Sequence, residues 1–248
     1  MTDTLHDFTA TMFTFDGRSR DVYRKGVGPG VLVIHELPGL TPRVADFGRR
    51  VAEAGFTAVL PSLVGTPGRA PSGRYLASST TAVCVSREFA TMAMGSTSPV
   101  IAWLRALARE VHGECGGPGV GAVGMCFSGG FALAMMVDDE VVAPVLSQPS
   151  LPFAMGKRRG ADLGLSAADA ERVKERAAAG CDVLGLRYRS DKLVGTRFDS
   201  LRELLGDHFL AVEFDGSGHS VLTEHLQESG VEAVITFLRE RLLDPDSA

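Results

Sequence analysis

Val120-Gly-Ala-Val-Gly-Met-Cys126-Phe-Ser-Gly-Gly130 is an apolar run that ends in a thiol set among small residues, and its reading decides the fold. A buried strand, one residue in a tight turn and then a helix, Phe131-Ala-Leu-Ala-Met-Met-Val137, make a chain reversal that tolerates little side-chain bulk; Gly124, Ser128, Gly129 and Gly130 meet that need. The reversal puts Cys126 at the carboxyl end of a strand and the amino end of a helix, where backbone N–H groups and the helix dipole favour thiolate over thiol. The same run also suits a small cysteine buried for packing, because free cysteine is among the most buried residue types.

Outward from this point the chain repeats strand and helix. Val31-Leu-Val-Ile34 is a continuous apolar run of the kind that fills a central parallel strand, and Thr41-Pro42 opens a helix that Gly55 closes. Strands follow at Phe56 to Leu60, Val141 to Leu146, Val183 to Leu186 and Phe209 to Phe214, with helices at about Pro99 to His112, Phe198 to Leu205 and about Thr223 to Leu242. Before them, Phe8 to Lys25 alternates around Asp16-Gly17, the strongest short-range hairpin signal. The predicted class is α/β: a doubly wound, mainly parallel sheet with an N-terminal antiparallel hairpin (1–30), all in one domain over 1–248. Two irregular segments, 61–90 and 147–180, interrupt the rhythm and are expected near the pocket. The second carries Lys157, Arg158 and Arg159, a cluster that suits a solvated face or a pocket wall, and the Ser166 to Asp169 spacing resembles a capping box for a helix running to Gly180.

With 248 residues, 45% of them hydrophobic, the chain can bury one large core. A net charge of −5 without a basic stripe argues against nucleic-acid and anionic-membrane partners and leaves small molecules. No apolar stretch reaches the roughly 18 residues of a membrane span, and the start lacks the basic-then-apolar order of a secretory signal, so the expected location is cytoplasmic. Cys84, Cys115, Cys126 and Cys181 form no CxxC pair, which suits neither a disulfide framework nor a zinc site; reduced thiols and no metal are expected.

A nucleophilic thiol needs a base and an orienting acid. In sheets of this kind the chain order is nucleophile, acid, histidine, each at a strand's carboxyl end. Asp191 ends the strand through Leu186, and His219 sits in the Gly-rich turn Asp215-Gly-Ser-Gly-His219 after the strand ending at Phe214. Each residue alone suits a turn or surface loop; the order joins them. At the first parallel strand, Ile34-His35-Glu36-Leu37-Pro38-Gly39 sets a charged pair against core residues, which suits a strand-end ion pair. It also suits a loop whose Leu37 N–H joins that of Phe127 in an oxyanion hole, with Glu36 pointing toward Cys126, where its charge can take the thiol proton but also opposes a thiolate.

These residues together, Gly124-Met-Cys126-Phe-Ser-Gly-Gly130, His35-Glu36-Leu37-Pro38-Gly39, Asp191 and His219, resemble the dienelactone hydrolase family of α/β-hydrolases from about Val31 to Leu242. The resemblance implies the α/β-hydrolase fold and a Cys126, His219, Asp191 triad, with Glu36 beside the thiol and taking its proton when substrate binds. It implies hydrolysis of a small lactone or ester through an acyl-enzyme, without metal or organic cofactor. Dienelactone hydrolases proper clamp the substrate carboxylate with two arginines. Arg87 is the match for one as a substrate-binding residue; the other, four residues after the histidine, is Thr223 here. A non-catalytic ligand-binding or redox-sensing protein on the same scaffold, and a thioesterase or acyltransferase, are the alternative readings.

Overall fold

The computed structural model describes residues 4–85, 98–151 and 156–243. Strands β1 (Thr9–Phe15), β2 (Arg18–Lys25), β3 (Gly30–Ile34), β4 (Thr57–Pro61), β5 (Val120–Met125), β6 (Val141–Ser147), β7 (Val183–Tyr188) and β8 (Phe209–Phe214) form one eight-stranded sheet in the order β1-β2-β4-β3-β5-β6-β7-β8. The first two pairings, β1 with β2 and β2 with β4, are antiparallel, and every pairing from β4 to β8 is parallel. This is the α/β-hydrolase arrangement with an N-terminal hairpin. The hairpin closes at Asp16 and Gly17, both at positive φ (49° and 71°), the two-residue turn whose twist matches that of its strands.

The central strands are buried on both faces, so their apolar residues run without a polar break. Val31 and Val33 of β3 face one core with α1 (Pro42–Glu53) and α8 (Glu228–Leu242), while Leu32 and Ile34 face the other with α3 (Pro99–Cys115), α4 (Gly129–Met135), α6 (Ala167–Ala178) and α7 (Arg197–Leu205). Burying each such side chain contributes about 1.5–3 kcal/mol relative to leaving it exposed. Thr41, Ser98 and Ser166 cap α1, α3 and α6, their hydroxyls accepting from the N–H of Val44, Ile101 and Asp169. The hairpin rests on α3 through Trp103, whose indole N–H donates to Arg18 O (3.0 Å) and whose ring meets Phe13 edge-on.

Three expectations need correction. Segment 61–90 is not wholly irregular: Gly73–Val85 is helix α2. Its Thr80 and Thr81 hydroxyls bond back to the carbonyls of Leu76 and Ala77, and its mixed composition carries no apolar period. Within 147–180, in addition to α6, Lys157–Ala161 forms the short helix α5. Helix α8 starts at Glu228 rather than near Thr223, because residues 220–227 are wound into turns: His225 N–H and Thr223 N–H donate to Ser220 O, and Gln227 N–H donates to Val221 O. No helix among the described residues is long and apolar enough to cross a membrane.

Candidate active site

Strand β5 delivers Cys126 into a single 3₁₀ turn, Cys126–Ser128, that leads into α4. Cys126 itself has φ 56°, a left-handed conformation that costs a non-glycine residue about 1–3 kcal/mol and is held only where the surroundings over-determine it. The surroundings are specific. Ser128 Oγ lies 2.8 Å from Ile34 O and 3.1 Å from His35 O and accepts from Met125 N–H (2.9 Å), tying the turn to the end of β3. A Cβ on Gly124 would stand 2.2 Å from Ser128 O, and one on Gly129 would stand 2.6 Å from Pro149 Cα, so glycine at both is what lets the turn close.

Asp191 and His219, 28 residues apart, meet at the carboxyl ends of β7 and β8. His219 Nδ1 is 2.7 Å from Asp191 Oδ2, and the other carboxylate oxygen accepts Leu193 N–H at 2.9 Å. The Asp191 side chain is 4% exposed, so the contact is shielded from water. Burial pulls the imidazole's pKa down, but the Asp191 hydrogen bond and the neighbouring Cys126 sulfur outweigh it and lift His219 to about 10. Its Nε2 is buried and closes no hydrogen bond among the described residues. The closed bond of Cys126 Sγ is to Ser150 Oγ, 3.2 Å away.

Glu36 is buried, and its carboxylate is hydrogen-bonded on both oxygens. Ser220 Oγ donates to Oε2 (2.7 Å), Gln148 Nε2 donates to Oε2 (3.2 Å), and Thr223 Oγ1 donates to Oε1. Burial raises its pKa, against the lowering effect of the Ser220 and Thr223 hydroxyls. Glu36 lines the same cavity as the thiol, with its carboxylate hydrogen-bonded to Gln148 and to the turn after His219. Thr223, where the resembled enzymes carry a clamp arginine, is one of its partners. His35 forms no ion pair with that carboxylate. Its Nδ1 meets Glu36 O (2.8 Å) and its Nε2 accepts Leu63 N–H (3.0 Å), and burial lowers it to about 4, so it is a neutral latch between two loops.

A cavity of about 530 Å³ opens over the thiol, lined by Leu37, Pro38, Pro71, Leu76 and Leu193 together with Cys126, Ser150, His219 and Glu36. Leu37 stands in this wall. Phe127 follows the thiol in the turn, its ring packed 5.7 Å from His35 and 5.6 Å from Phe131. Arg87 lies outside the described residues. Arg158 and Arg159 are exposed and stand apart from the cavity. Among the described residues, no group of three or more His, Cys, Asp or Glu side chains converges as a metal site requires. Sequence reasoning missed Gln148, Ser150 and Ser220; the signal for the first two was position, since Ser147-Gln-Pro-Ser150 directly follows the apolar run of β6, where ligands of such sheets bind, and for Ser220 its place next to His219.

A family model, the dienelactone hydrolase family, matches residues 19–154 of the chain. A hydrolase fragment of Escherichia coli strain K12, YghX, is 46% identical over 55 residues, which are 21% of this chain and 47% of that fragment, so the match spans about half of the relative's length. Among solved structures, a dienelactone hydrolase-like promiscuous phosphotriesterase from metagenomic libraries superposes with TM-score 0.66 at 18% identity, over 95% of this chain and 98% of its own. A dienelactone hydrolase from Anabaena variabilis does so with TM-score 0.62 at 13% identity, over 96% and 100%. At these identities the superpositions speak for the fold.

Proposed function

Because this chain belongs to the dienelactone hydrolase family, we propose that it hydrolyses a small ester or lactone through an acyl-enzyme on Cys126, without a cofactor. The observation that carries this reading is the left-handed Cys126 (φ 56°) beside an imidazole already oriented by Asp191 at 2.7 Å. His219, its basicity raised by the carboxylate, takes the thiol proton. The thiolate attacks the carbonyl carbon, forming the C–S bond as the carbonyl electron pair moves to oxygen, and the N–H groups of Leu37 and Phe127 are the donors for that oxyanion. Collapse breaks the C–O bond, and His219 protonates the departing oxygen. Water then attacks the thioester and gives its proton to His219, the C–S bond breaks, and acid is released.

Glu36 is in this reading a second acceptor for the thiol proton, once substrate frees it from Ser220 and Thr223. The leucine and proline walls of the cavity suit an uncharged acyl group, and Thr223 Oγ1, engaged with Glu36, makes no charge pair with a substrate carboxylate.

The test is p-nitrophenyl acetate hydrolysis with mass spectrometry of the quenched mixture. The expected result is an acetyl adduct on Cys126 that forms and decays, with turnover in Cys126→Ala reduced by on the order of 10⁴ or more. Retention of most activity in Cys126→Ala overturns the proposal.

A further inference from the structure

Ser150 has no role in the mechanism above, yet its hydroxyl is the one group hydrogen-bonded to the thiol among the described residues, at 3.2 Å, and the residue is 1% exposed. Its position is over-determined. Gln148, immediately after β6, is held at φ 36°, another left-handed non-glycine. Its N–H donates to Leu186 O (2.7 Å), its Nε2 reaches Glu36, and its Oε1 accepts Val221 N–H (3.4 Å). Pro149 packs so closely on Gly129 that no Cβ fits between them. Ser150 N–H then donates to Cys126 O (3.0 Å). One short bridge thus grips the Cys126 backbone and sulfur from the β6 side.

When the thiol proton leaves for His219, the sulfur retains only acceptor capacity, and the Ser150 O–H becomes the donor in the 3.2 Å contact. We propose that Ser150 is a further catalytic residue, whose hydroxyl donates to the Cys126 thiolate, stabilising the charged sulfur and fixing its rotamer while His219 Nε2 stays available to the leaving group. The inference rests on Cys126 being the nucleophile.

The experiment is the pH dependence of Cys126 alkylation by iodoacetamide, followed by mass spectrometry, in wild type, Ser150→Ala and Ser150→Thr, with ester kinetics alongside. Loss of a hydrogen bond to a charged group shifts the alkylation midpoint of Ser150→Ala upward by about one pH unit, and kcat falls about tenfold with KM nearly unchanged; Ser150→Thr, which keeps the hydroxyl, retains the wild-type midpoint. Coincident midpoints in wild type and Ser150→Ala overturn the proposal, as does a raised midpoint in a folded Ser150→Thr. Alkylation reads the thiol without ester turnover: a shifted midpoint without an acyl adduct defeats the hydrolase reading alone, and an adduct with coincident midpoints defeats the Ser150 role alone.

Discussion

His35 shows how a titratable group in an active-site loop can serve the fold alone. Its folded pKa of about 4 lies below the ordinary 6.5 because burial penalises the imidazolium. A depressed folded pKa means that the unfolded chain binds the proton more readily, so this contribution is complete above about pH 6.5 and is lost as pH falls toward 4. The displacement corresponds to about 3 kcal/mol across that window, as an order of magnitude. Urea unfolding midpoints measured from pH 7 to pH 4 are expected to fall in wild type and to change less in His35→Gln, which starts from a lower stability at pH 7; parallel curves for the two proteins would contradict the assignment. The sequence marked His35 as unusual but could not say that its Nε2 accepts from Leu63, 28 residues on. For Glu36 the sequence exposed the conflict between proton acceptor and repelling charge, while its partners Ser220 and Thr223 lie 184 and 187 residues away, beyond any local pattern.

Among the elements, those legible in sequence had either a strict apolar run or a cap. β3 and β5 are uninterrupted because both faces are covered, and α1, α3 and α6 announce themselves through Thr41-Pro42, Ser98-Pro99 and Ser166. Helix α2 was illegible because its Ser and Thr side chains satisfy themselves on its own backbone and leave its exposed flank without a hydrophobic signature. Also hidden was the bolt between the α5 segment and the turn after β7. Arg197, at the start of α7, is 1% exposed, and its guanidinium donates to the carbonyls of Arg159, Asp162, Leu193 and Val194; burial lowers its pKa to about 10. Arg197→Met removes the guanidinium donors to those carbonyls and, at about 1–3 kcal/mol per buried group left unsatisfied, is expected to destabilise the protein by at least that amount in urea unfolding. Because the bolt also holds the Asp191 to Leu193 turn, kcat is expected to fall in the same variant. An unchanged unfolding midpoint would show that the bolt contributes nothing.

At the scale of the whole molecule, the parallel sheet gathers Glu36, Cys126, Ser150, Asp191 and His219 at one edge because consecutive right-handed crossovers bring each strand's carboxyl end to the same side. The chain order of thiol, acid and histidine was legible for that reason. The cavity walls were not, since Pro71 and Leu193 come from loops and Leu76 from α2, none of which an apolar periodicity specifies. Those walls lead to a specificity prediction. If the acyl chain lies against them, each added methylene contributes about 0.8 kcal/mol, so kcat/KM is expected to rise about fourfold per carbon from p-nitrophenyl acetate to butyrate. A flat or falling series would place the acyl group elsewhere.

Trp103 is the chain's single tryptophan, and it lies against the hairpin rather than the cavity, with Arg20 over its ring at 5.5 Å and Arg18 O at its N–H. Its fluorescence is therefore a built-in optical gauge of whether the first two strands remain seated. Emission will redden when that edge of the sheet lets in water and will stay silent to chemistry at the sulfur, giving each inactive variant its own internal reading of whether chemistry or architecture was lost.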